Sequence, residues 1–180
     1  MALTCNLTKN LLKSNSCAYQ LQEINDIYLV DYNSVSGAPV VYSCESGVTV
    51  SSIGLEGSAK FAHIEVAKNS ASFTDELVVN DNGGKYRTHT VTFGLNGNYD
   101  KDMVCSVDAL SLGKFFVVVK TAAGEYLALG RTAGLEASEG SIAGGSDNNG
   151  ITVTLTANVA ETAVPLSETA IDNLKANILS

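Results

Sequence analysis

Four cysteines, two histidines and one Asp/Asn-rich turn are the residues of this chain whose types could do chemistry. Cys5, Cys17, Cys44 and Cys105 are widely separated and form no Cys-x-x-Cys pair, so neither a zinc ribbon nor a dithiol redox motif is present. Met1-Ala-Leu-Thr-Cys5 has neither the basic lead nor the long apolar stretch of a secretory signal. The expectation is four reduced, mostly buried thiols. His63 and His89 fall on separate expected strands. They could converge on a metal, but neither has a nearby carboxylate or cysteine at ligand spacing, which favours ordinary sheet positions. Asp147-Asn-Asn-Gly150 offers oxygen ligands yet lacks the alternating spacing and closing Glu of a calcium loop, and reads as a turn.

Catalytic patterns fare no better. No Gly-x-Ser-x-Gly elbow occurs, and Gly94 and Gly97 lack the rest of a phosphate loop or dinucleotide fingerprint. Asp75 and Glu76 are adjacent on an expected strand, so they point to opposite faces and cannot work as an acid/base pair. A pairing of Cys105 with either histidine is open, but its helical setting suggests a core position. The chain is expected to be no enzyme and to carry no cofactor and no metal.

The elements that position these residues are mostly strands. At 180 residues, with 45% hydrophobic residues, the chain is long enough for one domain with a core. Gly is frequent (16) and Pro scarce (2), which suits tight turns in a β protein. Lys and Arg total 11 against 19 for Asp and Glu, a net charge of −8 that disfavours sequence-specific nucleic-acid binding. There is no Trp and aromatics are 7%, too few for a stacking platform for bases or sugars. No apolar run approaches the roughly 20 residues that span a bilayer, and no membrane partner is expected.

Residues 1–22 read as an N-terminal arm, 23–160 as a β domain, and 161–180 as a C-terminal helix and tail. Ile24 to Tyr32 alternates, with Ile27, Leu29 and Asp31 on one face and Tyr28, Val30 and Tyr32 on the other. Asn33 to Gly37 is a turn, Val40 to Cys44 and Val48 to Ile53 are short strands, and Lys60 to Lys68 is another. Phe73 to Asn80 and Lys85 to Leu95 flank Asp81-Asn-Gly-Gly84, a strong hairpin signal, because Asp and Asn tolerate and Gly freely adopts positive φ. Arg87, His89, Val91, Phe93 and Leu95 share one face of the second arm; Tyr86, Thr88, Thr90 and Thr92 share the other, which should meet solvent or a partner. Asp100 opens a helix carrying Met103, Val104, Val107 and Leu110, and Gly113 stops it. Phe115 to Val119 is apolar on both faces and should be a central strand covered on both sides. Ala122-Ala-Gly124 turns it into Tyr126 to Arg131, whose Leu127 and Leu129 face inward. Gly134 to Asn149, rich in Gly, Ser and Ala, reads as a surface loop. Ile151 to Ala157 alternates cleanly with threonines, and Ser167 caps a last helix striped by Ile171, Leu174 and Ile178. That stripe must cover its own sheet or a neighbouring subunit.

Three segments in this order carry a resemblance: Ile24-Asn-Asp-Ile-Tyr-Leu-Val-Asp31; Lys120-Thr-Ala-Ala-Gly-Glu-Tyr-Leu-Ala-Leu-Gly-Arg131 with Ala133-Gly-Leu-Glu136; and Gly145-Ser-Asp-Asn-Asn-Gly-Ile-Thr-Val-Thr-Leu155. Over most of residues 20 to 160 the succession resembles tail-tube and tail-ring structural proteins of tailed bacteriophages of Bacteroides-type hosts, including crAss-like phages. The resemblance implies a mainly β, tail-tube-like sandwich or barrel with one packed α-helix, a long hairpin and a short C-terminal helix. It further implies a homo-oligomeric ring in the virion tail, assembled in the host cytoplasm, through which DNA passes. Neighbouring tail, portal or capsid proteins are the other partners it implies. The shortness of the chain, the lack of an added surface domain and the unmatched N-terminal arm depart from the pattern.

Phe73 to Leu95 is the candidate hairpin for reaching a neighbour. Its interface candidates are Phe73, Leu77, Asp81, Asn82, Gly83, Tyr86, Thr88, Thr90 and Thr92. An exposed strand edge is a docking site for a copy of itself, and one repeated rotation closes a ring. The alternative is a capsid decoration protein or another virion-surface binding module, monomeric or trimeric.

Overall fold

A computed structural model describes residues 23–43, 47–66, 69–95, 101–143 and 150–179. The expected arm, Asp100, the Asp147 turn and Cys5, Cys17 and Cys44 lie outside these residues. The strands are β1 (Ile24–Asp31), β2 (Val35–Gly37), β3 (Val40–Ser43), β4 (Gly47–Val50), β5 (Gly54–Leu55), β6 (Ala62–Glu65), β7 (Ala71–Val79), β8 (Lys85–Leu95), β9 (Lys114–Thr121), β10 (Tyr126–Leu129), β11 (Leu135–Ala143), β12 (Gly150–Val159) and β13 (Val164–Pro165). The helices are α1 (Lys101–Leu112) and α2 (Glu168–Ala176). The protein is mainly β, with one antiparallel sheet of nine strands and two short two-stranded sheets.

β9 organises the molecule. One of its borders pairs with β1, and the other is shared by β10, along Val117–Lys120, and by β11, at Lys114 and Phe115. The sheet therefore branches there into two halves, β6-β1-β9-β10-β13 and β11-β12-β8-β7. Ile27, Leu29, Val117, Val119 and Leu129 of the first half pack in one cluster with Val91, Phe93, Val153 and Leu155 of the second, as in a sandwich. Leu110 of α1 joins this cluster. The opposite face of the first half carries Tyr28, Val30, Phe116, Val118 and Ala128, which pack with Val50, Phe61, Ala170 and Leu174. Residues Phe116 to Val119 thus alternate between two cores, and all four are fully buried, which is why this run carries no polar residue. Each such burial contributes about 1.5–3 kcal/mol.

α2 starts where Ser167 Oγ accepts from Ala170 N at 3.3 Å. Its stripe covers the protein's own sheet, with Ala170 and Leu174 fully buried. Two backbone bonds tie the chain beyond it to Phe61: Phe61 N donates to Asn177 O (2.8 Å) and Leu179 N to Phe61 O (2.9 Å).

Three sequence expectations fail in the fold. Of the expected Asn33 to Gly37 turn, Val35–Gly37 form β2, which pairs with β5. Residues 135–143 form a strand, where the composition suggested a surface loop. Their Ser, Gly and Ala residues have weak strand preference, but β12 offers a ladder from Glu136 to Ala143, broken by a register shift at Ser138, and Leu135 is anchored in the core, so pairing overrides propensity. Cys105 is exposed on α1, not in the core. The buried stripe of α1 runs through Leu110, with Val107 packed beside it, and Val104 and Cys105 lie off that stripe.

Candidate functional site

The β7–β8 hairpin has the register its turn dictates. Asn80 N donates to Gly84 O and Gly83 N to Asn80 O, both at 2.8 Å, and Gly83 sits at φ +82°, where a side chain would be strained. The ladder continues to Ala71 opposite Phe93. Because Asn80 and Ser70 bond toward β8, the alternation of a strand sends the amides and carbonyls of Ala71, Phe73, Asp75, Leu77 and Val79 the other way. No described strand pairs with that outer border. Leu77 and Val79 are more than half exposed beside it (57% and 55%). β7 is thus an edge that no described strand pairs, with the Asp75 carbonyl taken by Arg87 Nη2 (3.1 Å) and apolar side chains at its tip.

The candidate interface residues divide accordingly. Leu77, Asp81, Asn82 and Gly83 are exposed on the edge and turn. The Phe73 side chain instead packs against the core between the two sheet halves. Tyr86, Thr88, Thr90 and Thr92 line the outer face of the hairpin, half-buried among one another. That face is a hydroxyl array. Thr92 Oγ1 meets Thr154 Oγ1 at 3.1 Å, Thr90 Oγ1 meets Thr156 Oγ1 at 3.2 Å, and Thr88 Oγ1 donates to Asn158 Oδ1 at 3.0 Å. Ser72, Thr74 and Glu76 extend it on β7, and Glu136, Glu139 and Ser141 extend it on β11. No Lys or Arg of these four strands shares the face; Lys114 of β9 reaches Glu136 at its border (3.1 Å).

The two histidines do not converge, but each has a carboxylate beside it. His63 Nε2 lies 2.8 Å from Asp26 Oδ1, and Lys120 Nζ donates to Asp26 Oδ2 at 2.6 Å. Burial alone would raise the Asp26 carboxyl, but Lys120 and His63 outweigh it and hold it below the usual carboxylate range. His63 stacks on Tyr28, with ring centroids 4.8 Å apart. Burial, with the Asp26 charge beside it, raises the Tyr28 phenol. The strand registers explain the cluster: Glu65, Asp26, Lys120 and Tyr126 lie on one row across four strands, and His63 and Tyr28 lie on the next. It closes the end of the apolar layer under α2 with paired charges.

The second histidine is fully buried. His89 Nδ1 accepts from Gly130 N at 3.1 Å, and its Nε2 lies 3.4 Å from Asp75 Oδ1 without forming a hydrogen bond. Asp75 also accepts from Arg87 Nε and from Ala163 N (2.9 Å). Burial raises the Asp75 carboxyl, yet these donors prevail and hold it below its ordinary value. Burial holds the His89 ring below the usual imidazole range, against the pull of Asp75 and Glu161. Glu161 pairs with Arg131 and accepts from Thr132 N (2.8 Å). The signal for the Asp75–His89 pair was present in the sequence, because a hairpin turning at Asp81–Gly84 sets these two residues opposite each other. Among the described residues no cluster of three or more His, Cys, Asp or Glu could hold a metal, and no helix is long and apolar enough to cross a membrane.

No protein-family model matches the chain, and neither a curated protein nor a solved structure does.

Proposed function

We propose that the protein is a bacteriophage virion structural subunit that joins copies of itself into a ring of the tail, a tube or a connector, with DNA passing through the lumen. The observation that carries this reading is the unpaired border of β7, whose outward amides and exposed Leu77 and Val79 suit the addition of a strand from an identical subunit. One heterologous contact repeated by rotation closes such a ring. The outer face of β11-β12-β8-β7 supports the lumen assignment, since it presents hydroxyls and carboxylates with no basic side chain of its own strands to hold a phosphate. The resemblance to tail-tube and tail-ring proteins points the same way. Neighbouring tail, portal or capsid proteins complete the partner set in this reading.

The test exploits the direction of the Leu77 amide. Leu77→Pro removes an outward donor and leaves the bonds to β8, which come from the alternate residues, in place. Leu77→Lys places a charge at the same border. Mass photometry of the wild-type protein at rising concentration is expected to show closed oligomers, and both variants are expected to remain monomeric with unchanged circular dichroism. A wild-type protein that is monomeric at every concentration, with no ring in virions, would falsify the proposal; a trimer on the capsid surface would establish the decoration alternative.

A further inference from the structure

We propose that His89 is a proton-operated latch, which fastens the β7–β8 hairpin to the Gly130–Gly134 turn when neutral and releases it when charged. The geometry is one of donors and acceptors. Gly130 N–H occupies Nδ1, so the neutral ring carries its proton on Nε2. A second proton can enter only at Nδ1, where it opposes the Gly130 N–H, and the bond becomes two donors face to face. The charged ring also has somewhere to go. Asp75 Oδ1 stands 3.4 Å from the buried Nε2, which makes no hydrogen bond of good geometry, and the Glu161 backbone also faces the ring. Swinging toward that carboxylate satisfies the imidazolium and leaves Gly130 without its acceptor.

The groups facing the ring decide how stiff the latch is. β7 contributes Asp75, β8 contributes Arg87, and the link between β12 and β13 contributes Glu161. The turn itself brings Arg131, held by Glu161, while β12 places the uncharged Ala157 opposite His89. Both carboxylates already carry a basic partner, so the neutral ring is the resting state, in keeping with the lowering of its proton affinity by burial. The released segment is specific. Gly134 N donates to Gly130 O at 2.8 Å, and the same turn leads into β11, which shares the outer sheet with the hairpin. If copies join through β7, acid would loosen the joining edge. That consequence rests on the assembly reading; the latch does not.

Hydrogen exchange on the unassembled full chain tests it. Corrected for intrinsic rates, wild-type protection across the Gly130–Gly134 segment is expected to fall about tenfold or more between about pH 7.5 and about pH 5. His89→Gln cannot titrate and keeps an acceptor for Gly130 N–H, so its protection is expected to stay flat. A flat wild-type profile, or an equal fall in the variant, overturns the latch. Should the variant misfold, NMR of the wild type decides. The His89 ring and the Gly130 amide must titrate with one shared midpoint, and separate midpoints or an unmoved Gly130 amide refute it. None of these readouts needs an oligomer, so a failed latch and a failed assembly remain distinguishable.

Discussion

Asp75 ties three segments of the fold together. It binds the Arg87 side chain and the Ala163 amide, and it stands across the ladder from His89. Asp75→Asn keeps the shape and removes the charge, leaving Arg87 poorly matched and one donor opposed to Ala163 N–H. The expected loss is about 2 kcal/mol in urea unfolding. The sign of the pH dependence follows from the same groups. The folded carboxyls of Asp75 and Asp26 are depressed, so their contribution is full above the unfolded value near 3.8 and is lost as pH falls through the folded values. His89 is likewise depressed, so its neutral form favours folding, and stability declines as pH falls below about 6.5. Thermal midpoints are expected to drop in two stages on acidification, and Asp75→Asn should blunt the lower one. A single late transition would contradict this order. The faces of β8 were legible residue by residue, because alternation alone puts His89 with Val91 and Phe93. The carboxylate beside His63 was not legible, since Asp26 meets it only through a pairing between β1 and β6 that no local pattern announces.

At the scale of elements, close approach and docking decide what each segment tolerates. Gly130 and Gly134 both sit at φ +65°, and a Cβ at Gly134 would lie 2.8 Å from Lys114 Cγ and Tyr32 Cγ. Gly134→Ala is expected to cost about 2 kcal/mol, from the left-handed backbone and the crowding together. Chemical denaturation measures it, and a neutral result would mean that the turn relaxes freely. α2 depends on Leu174. Leu174→Ala should destabilise the protein by about 3 kcal/mol by leaving a hole under the helix. A loss under about 1 kcal/mol would show that the helix is not a structural cover. Sequence patterns located β1, the hairpin, β9, β12 and both helices, because each has a strong period or an unambiguous turn or stop. They missed β11, where Ser138 to Ser141 have neither period nor apolar content and the segment becomes a strand only because β12 pairs with it.

For the molecule as a whole, charge and shape work against each other. Each copy carries a net charge of −8, so bringing copies together costs repulsion that salt screens. If β7 joins them by backbone pairing and apolar contact, raising the salt from about 50 mM to about 500 mM should strengthen association, by light scattering at fixed protein concentration. Association that weakens with salt would instead point to opposite-charge contacts between copies. Arg87 and Arg131 are already engaged by carboxylates within the chain, so Lys85, exposed opposite Val79, is the basic residue of the hairpin left to meet a partner's carboxylate at the assembly border.

Local order is what the amino-acid sequence determined alone: alternation, turn glycines and the doubly apolar run from Phe115 to Val119 need only neighbours along the chain. Tertiary structure decided which strands lie side by side, and with that the branching at β9, the burial of His89 against Asp75 and Gly130, and the open border at β7. The reason is range. A period is set by bond geometry over a few residues, whereas a pairing between segments far apart in sequence depends on where every other apolar face has already found cover.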